Sequence, residues 1–290
     1  MSSRPLSLAS RVAGLFEFVK FSHTIFALPF ALMSMLVAGQ GRPGWRALFW
    51  ILLCMVGART AAMCFNRLAD WEIDKQNPRT ALRHTLIPKS LGWALMSVSL
   101  ALLVFGAWRL NPLCLYLSPL AIVLVLSYSL TKRFTAYSHF FLGLALSAAP
   151  MGAWAALRGE LTSLAPWVLA ASVLAWVFGF DLIYATLDME FDRSKGLYSF
   201  PARYGLRPSL RLAQVLHVAA AIGFACFGWI AGLGPIYAVA WALASAGLLY
   251  EHRLCRTSDP VSINKAFFQV NAFVSITLLL GACLDLWIRR

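Results

Sequence analysis

The chain has 290 residues, of which 60% are hydrophobic and only 13% are charged, and its mean hydropathy is +0.71. A soluble domain is closer to half apolar and about a quarter charged, so this composition excludes a soluble enzyme and predicts a membrane protein. The formal net charge is +13, but the basic residues fall between apolar segments, which indicates positive-inside bias rather than a nucleic-acid surface.

The apolar segments predict an all-α, polytopic integral membrane protein with nine transmembrane helices in a single domain covering residues 1–290. A bilayer core about 30 Å thick needs roughly 20 apolar residues per helix. In chain order the segments are 16–38, 46–72, 91–109, 112–131, 137–157, 164–189, 209–231, 234–253 and 262–288. With a cytoplasmic N-terminus, most of the 25 lysine and arginine residues lie on the cytoplasmic side. The two long connections, 73–90 and 190–208, lie there too.

An acidic hexapeptide occurs twice, at 70–75 and 188–193, and each copy ends an apolar segment. The acids stand at identical places, bulky apolar residues separate them, and a base closes each copy. Each residue of the second copy follows its counterpart by 118 positions. With one nearby aspartate, the two copies hold more than half of the 12 acidic residues, namely Asp70, Glu72, Asp74, Asp181, Asp188, Glu190 and Asp192. We therefore expect the chemistry at these two places.

Helical spacing places polar residues of segment 46–72 on one face. Asn66, Asp70 and Asp74 recur every four residues, and Arg59 lies seven residues earlier on the same face, deeper in the membrane.

Segment 164–189 shows the same arrangement. Asp181, Tyr184, Asp188 and Asp192 follow one another at spacings of three, four and four residues, so they also share one helical face.

These carboxylates indicate a metal site. A charged side chain at membrane depth costs about 2.5–3.5 kcal/mol on insertion scales, and clustered carboxylates repel one another unless a cation lies among them. Carboxylate oxygens suit Mg²⁺, which keeps other positions for water and phosphate oxygens. The alternative is that the acids only form salt bridges with loop arginines. That explanation suffices for one motif, but the repetition favours the metal site.

The connections beside the motifs carry lysine and arginine, which bind phosphate oxygens through charge-assisted hydrogen bonds. Each of them, taken alone, also fits positive-inside bias. The candidate phosphate-binding residues are Arg79, Arg83, Lys132, Arg133 and Lys195.

Both motifs resemble signatures of the UbiA family of intramembrane aromatic prenyltransferases. The run 66–80 resembles the first signature, the run 181–205 resembles the second, and Tyr128 with Lys132 and Arg133 resembles a third, weaker element. Arg67 stands where many members have aspartate, which is similar to the 4-hydroxybenzoate or futalosine-pathway (MqnP-like) branch.

The resemblance implies a helical bundle around a central cavity, with both motifs at its cytoplasmic mouth in a bacterial inner membrane. It implies Mg²⁺-dependent transfer of a polyprenyl group from polyprenyl diphosphate to an aromatic acid in ubiquinone or menaquinone biosynthesis. The acceptor would be 4-hydroxybenzoate or a related hydroxynaphthoate. The implied metal ligands, also counted as catalytic, are Asp70, Asp74, Asp188 and Asp192.

The same resemblance assigns the remaining roles as expectations. Asp181 or Asp188 would take the ring proton, and Arg59 would pair either with the acceptor's carboxylate or with Asp70. The implied substrate-binding residues are Asn66, Arg59, Arg79, Arg83, Lys132, Arg133, Tyr184 and Lys195.

Two alternatives remain open from the sequence. Secondary transporters also carry intramembrane acids and internal repeats, but their sites usually lie near the middle of the membrane on broken helices. A UbiA-family enzyme with another acceptor, as in haem or chlorophyll-type prenylation, has the same motifs.

Overall fold

A computed structural model describes residues 26–255 and 259–288, and all the regular elements within them are helical. In chain order the helices are α1 (Leu28–Ala38), α2 (Trp45–Ala69), α3 (Trp71–Gln76), α4 (Lys89–Leu110), α5 (Pro112–Thr131), α6 (Ser138–Arg158), α7 (Leu164–Ala185), α8 (Met189–Ser194), α9 (Phe200–Tyr204), α10 (Leu206–Ile230), α11 (Pro235–Leu254), α12 (Pro260–Lys265) and α13 (Asn271–Ile288). Short 3₁₀ turns cover Ala81–Thr85 and Thr186–Asp188, and a π-helical turn covers Ala266–Val270.

The predicted all-helical membrane fold is confirmed. Within the described ranges, seven helical stretches are long and apolar enough to cross a membrane: α2, α4, α5, α6, α7 with α8, α10, and α12 with α13. The first predicted segment is described only from residue 26, and its helix α1 has 11 described residues. Helix α11 matches the eighth segment, and it carries Glu251, His252 and Arg253 near its end. The count of nine spans therefore stays a prediction.

The helices pack as two connected halves. In the first, α2 packs against α4 and α5, and α5 packs against α6. In the second, α7 lies between α6 and α10, and α11 pairs with α13. Small residues permit the close approaches: a Cβ on Gly57 would lie 2.8 Å from the Ser99 carbonyl oxygen, and one on Gly143 would lie 2.8 Å from that of Leu174. An aromatic core around Trp176 fills the second half.

Each acidic segment contains a helix break that hydrophobic periodicity does not show. Segment 46–72 was predicted as one helix, but α2 ends at Ala69 and α3 begins at Trp71. Segment 164–189 is likewise divided, because a 3₁₀ turn separates α7 from α8. Helices α3 and α8 each have six residues and begin 118 positions apart. The sequence repeat is therefore also a repeat of backbone structure.

Candidate active site

The connection that follows the first motif reaches across to the second motif. Arg79 Nε donates to Asp188 Oδ1 at 2.9 Å, and Arg79 Nη2 forms an ion pair with Asp188 Oδ2. Arg79 Nη1 donates to the Tyr184 hydroxyl at 2.8 Å, and Asn77 Nδ2 donates to Asp188 Oδ1 at 3.3 Å. Although burial lowers the pKa of Arg79, Asp188 and Tyr184 more than compensate, and the net shift of this pKa is upward. Arg79 is therefore a fixed cation between the motifs.

Local hydrogen bonds hold this connection in place. Asn77 Oδ1 accepts from the Arg79 backbone N–H at 2.9 Å, which is the turn that asparagine side chains commonly stabilise. The Thr80 hydroxyl donates to the Asp74 carbonyl oxygen at 3.1 Å. The chain thus folds back against α3, and Arg79 points toward α7 from a fixed base.

Asp70 is held by cations from a third part of the chain, the connection between α5 and α6. Lys132 Nζ lies 2.5 Å from Asp70 Oδ2, and Arg133 Nη2 lies 3.5 Å from Asp70 Oδ1. Arg133 also donates to the Ala69 carbonyl oxygen at 2.6 Å. Burial raises the pKa of the Asp70 carboxyl, and Lys132 and Arg133 offset only part of this effect. Asp70 is therefore a buried acid, and its basic neighbours offset part of the cost of burying its charge.

Asp74 and Asp192 lie close to the same groups. Asp74 lies within electrostatic range of Asp70, and Asp192 lies within that range of both Asp188 and Lys132. Ser199 lies beside Asp192. Lys132 is thus the cation shared by the two motifs, and its carbonyl oxygen accepts from the backbone N–H of residue 198 at 2.7 Å. The four predicted metal ligands gather at one end of the bundle.

The middle acids of the two hexapeptides do not join this group. Glu72 is exposed and pairs with Lys75 at 3.1 Å, three residues along α3, and Glu190 is also exposed. Alternate acids of each motif therefore face the site and solvent. Glu72 and Glu190 are natural controls for mutagenesis.

An apolar cavity of about 180 Å³ lies beside this site, between α2, α4, α5 and α6. Arg59 and Tyr128 line it, as do Cys114 and Ala155 farther along. Cys114 and Tyr128 lie 14 positions apart on α5, so the lined length is about 20 Å at 1.5 Å per residue. The other wall residues are mostly alanine and leucine.

Arg59 lies in the wall of this cavity, on one side of the acidic group. Its Nε is buried and has no hydrogen-bond partner among the described residues, and Tyr128 lies within electrostatic range of it. Asp70, the second partner predicted for Arg59, is instead paired with Lys132 and Arg133.

For the remaining predicted site residues, the structure gives a position but, among the described side chains, no contact with the acidic group. Asn66 lies in the last turn of α2, and Lys195 is exposed at the end of α8. Arg83 belongs to a 3₁₀ turn, but its side chain lies outside the described part of the structure.

Sequence reasoning missed one partner at this site. His139 Nδ1, in the first turn of α6, lies 2.7 Å from Asp181 Oδ2. No local spacing in the sequence links the two residues, because they lie 42 positions apart. The available signal was the place of His139 just beyond the Lys132–Arg133 connection.

The acidic group fits Mg²⁺ in donor chemistry. Among the described residues, no group of three or more His, Cys, Asp or Glu side chains is arranged as a complete metal site. Mg²⁺ usually binds through one or two carboxylates and takes its other oxygens from water and substrate phosphates. The acids present supply such carboxylates, and the adjoining Arg79 and Lys132 are residues that bind phosphate.

Taken together, the fold and the site define an all-helical integral membrane protein that gathers acids and bases at the end of an apolar cavity. Comparison with known proteins places it more closely. Residues 27–276 match the UbiA prenyltransferase family. The chain is 32% identical over 265 residues to the 4-hydroxybenzoate octaprenyltransferase of Nitrosospira multiformis, covering 89% of each chain.

Solved structures agree with this family match. The apo structure of a UbiA homolog from Aeropyrum pernix K1 has a TM-score of 0.83 and 33% identity, covering 91% of this chain and 98% of that chain. A UbiA homolog from Archaeoglobus fulgidus bound to DMAPP and Mg²⁺ has the same fold, with a TM-score of 0.67 and 17% identity, and the same shares of the two chains are covered. The chain belongs to the UbiA prenyltransferase family and is a prenyltransferase, which confirms the resemblance.

Proposed function

We propose that this enzyme transfers a polyprenyl group from polyprenyl diphosphate to an aromatic acid in a reaction that depends on Mg²⁺. The acceptor is 4-hydroxybenzoate or a related hydroxynaphthoate, and the product serves ubiquinone or menaquinone biosynthesis. The observation that carries this proposal is the pairing of Arg79 with Asp188 and of Lys132 with Asp70 at the mouth of an apolar cavity. The octaprenyltransferase relatives support the choice of acceptor.

The acidic end of the site would bind the diphosphate. Asp70, Asp74, Asp188 and Asp192, with Asn66 beside them, would hold Mg²⁺, which neutralises negative charge on a diphosphate when it is bound. The phosphate-binding set is Arg79, Arg83, Lys132, Arg133 and Lys195. Arg79 carries several N–H groups in a planar fork, so it can contact a phosphate oxygen while it keeps one bond to Asp188.

The cavity would hold the prenyl chain. Its walls are almost entirely apolar, and it begins at Arg59 and Tyr128, beside the acids. An allylic cation that forms at its mouth is protected there, because apolar walls disfavour the water that would quench it.

Arg59 would bind the carboxylate of the acceptor. A buried guanidinium needs an anionic partner, and its planar geometry suits bidentate pairing with a carboxylate. Asp70 already forms an ion pair with Lys132, so the acceptor is the partner that we propose. The ring would then lie near Tyr128, between the carboxylate-binding end and the acidic group.

The transfer breaks one C–O bond and one C–H bond and forms one C–C bond. The C–O bond of the prenyl diphosphate breaks, and its electron pair leaves with the diphosphate. The ring carbon ortho to the hydroxyl forms the new C–C bond, and its proton passes to Asp181 or Asp188. The pair of the broken C–H bond returns to the ring and restores aromaticity.

We place the site on the cytoplasmic side of a bacterial inner membrane. Basic residues cluster at this end of the bundle, as the positive-inside rule requires. Most of the exposed tryptophans lie at the opposite end, where Trp45 begins α2, Trp229 lies near the end of α10 and Trp287 lies near the end of α13; Trp93, near the start of α4, is the exception. Tryptophan is enriched where helices meet the membrane–water interface.

A prenylation assay tests the proposal. Membranes containing the protein receive Mg²⁺, a radiolabelled prenyl diphosphate, and 4-hydroxybenzoate, a hydroxynaphthoate or phenol without a carboxylate. We expect label in a hydroxylated aromatic acid and little in phenol. Membranes with equal amounts of Asp192→Asn protein are the negative control, and membranes with Glu72→Gln protein are the positive one. Equal labelling of phenol would contradict recognition through a carboxylate.

Arg59→Lys tests the acceptor-binding assignment separately. Loss of a bidentate, charge-assisted pair should lower kcat/KM by about ten- to a hundred-fold. We expect the KM for the aromatic acid to rise much more than the KM for the prenyl diphosphate. If the Mg²⁺ midpoint shifts and the aromatic KM stays unchanged, Arg59 acts on Asp70 instead.

A further inference from the structure

We propose that His139 is a positioning residue that holds Asp181 as the acceptor of the ring proton. The inference rests on the proposed function and extends it, because His139 belongs to neither acidic motif. It also chooses between the two carboxylates, Asp181 and Asp188, that sequence reasoning left open as the base.

The geometry of the pair carries the first step. His139 Nδ1 lies 2.7 Å from Asp181 Oδ2, a separation typical of a charge-assisted hydrogen bond. His139 is only 5% exposed and begins α6, whereas Asp181 lies one turn before the end of α7. The contact therefore joins two packed helices and restricts the rotation of the Asp181 carboxylate.

The alternative base, Asp188, is already committed to other groups. Its Oδ1 accepts from both Arg79 Nε and Asn77 Nδ2, and its Oδ2 pairs with Arg79 Nη2. Both oxygens of the Asp188 carboxylate thus already accept from N–H groups of Arg79 or Asn77, so a ring proton would have to compete with these donors. Asp188 therefore fits the diphosphate end of the site.

Asp181 lies instead toward the acceptor end. Tyr128 lies within electrostatic range of both Asp181 and Arg59, the residue that would bind the acceptor's carboxylate. Tyr128 and Arg59 both line the cavity. The ring of a bound aromatic acid would lie among these three side chains, within reach of a carboxylate that contacts no arginine in the hydrogen bonds described above.

The second ring nitrogen of His139 supports a positioning role for this residue. Its Nε2 is buried and has no hydrogen-bond partner in the described part of the chain, although buried polar groups that serve structure are usually satisfied. Among the described residues, the hydrogen bond of the imidazole is to Asp181, although the ring also lies within electrostatic range of Asp192. With the proton on Nδ1, it donates to Oδ2 and leaves Oδ1 free to take the ring proton.

Kinetics with a deuterated acceptor test the proposal. Rates are measured with 4-hydroxybenzoate carrying hydrogen or deuterium ortho to the hydroxyl, for His139→Leu and His139→Asn. In His139→Leu we expect kcat to fall about ten- to a hundred-fold, as partial loss of general-base catalysis requires. Both KM values should change less than about three-fold, and the deuterium isotope effect should increase, because proton removal becomes slower.

His139→Asn is the rescue variant, since its amide can donate near the position of Nδ1. It should restore most of kcat and the isotope effect of the unaltered enzyme. His217→Gln is the matched control: it also replaces a buried histidine, one that contacts His252 and the Trp176 carbonyl oxygen. It should leave the isotope effect unchanged.

Three outcomes overturn the inference: an unaltered kcat in His139→Leu, a lower kcat with no change in isotope effect, or no rescue by asparagine. If His139→Leu does not accumulate in membranes, His139→Gln replaces it and the same criteria apply. Failure of the proposed function is distinguishable, because the unaltered enzyme would then prenylate no aromatic acid at all.

Discussion

The two acidic motifs share a backbone but differ in their surroundings. Asp70 precedes α3 with φ −92° and ψ 11°, and Asp188 precedes α8 with φ −102° and ψ 3°. The Asp70 side chain is 4% exposed and pairs with Lys132, whereas the Asp188 side chain is 22% exposed and pairs with Arg79. The repeat thus places the acids symmetrically, and the basic connections, which are not repeated, give each motif a different cation.

This difference suggests that Lys132 and Arg79 have different roles. Lys132 is a compact point charge that is shared between Asp70 and Asp192. Arg79 is a planar fork held by Asp188 and Tyr184, a geometry that suits oriented binding of phosphate oxygens. We expect activity to depend on the positive charge of the cation at the first motif, and on the planar geometry of the cation at the second.

Metal removal should have the largest effect, because both motifs would bind the same ion and neither could act without it. Chelation with EDTA should abolish turnover, and Mg²⁺ or Mn²⁺ should restore it. Since the carboxylates in the described part of the chain do not form a complete metal site, titration calorimetry should show tight Mg²⁺ binding only when inorganic diphosphate is present. Full activity in EDTA-treated membranes would contradict the metal assignment.

Substitution of either motif should have the next largest effect. Asp70→Asn and Asp192→Asn should each lower kcat/KM by about 10³-fold, since metal-assisted charge stabilisation contributes several kcal/mol. Glu72→Gln, on the exposed face of the same motif, should stay within about two-fold. Activity is measured beside thermal unfolding in detergent. A near-normal rate in a folded aspartate variant would mean that the acids form only salt bridges.

Replacing each of the two cations by the other residue type tests whether their roles differ. Arg79→Lys removes the bidentate fork at Asp188 and should lower kcat/KM by about ten-fold or more. Lys132→Arg keeps the positive charge at Asp70 and should have a smaller effect. Both are measured with saturating aromatic acid while prenyl diphosphate is varied. Equal losses in the two variants would show that the motifs use their cations in the same way.

A pH profile gives the smallest but most specific effect. Burial, with a further contribution from Asp74, raises the pKa of Asp70, and Lys132 and Arg133 lower it again in part. Lys132→Met removes the larger of these two cationic contributions, so the pKa of Asp70 should rise further. Because Asp70 would act as a carboxylate, the acid limb of kcat/KM should move to higher pH.

Glu72→Gln should leave that limb unchanged, since Glu72 is exposed and pairs with Lys75. A shift to lower pH in Lys132→Met would contradict the assignment of the limb to Asp70.

Much of the bundle could be predicted from local signals. Helix α5 was expected at 112–131 and is found there, because Asn111 caps its start and Pro112 occupies the first turn. The break at Asp70 was not predicted, because a spacing of four residues keeps the acids on one face of an ideal helix and contains no sign of an interruption.

The sequence by itself determined that the chain is a helical membrane protein with two equivalent acidic ends, since hydropathy and a fixed repeat need no knowledge of neighbours. Only the tertiary structure decided which cation meets which acid. Arg79 lies 109 positions from Asp188, and His139 lies 42 positions from Asp181. Helical periodicity shows which side chains share a face, but the rotation and neighbours of each helix follow from close packing at small residues. That packing turns two similar motifs into one asymmetric site.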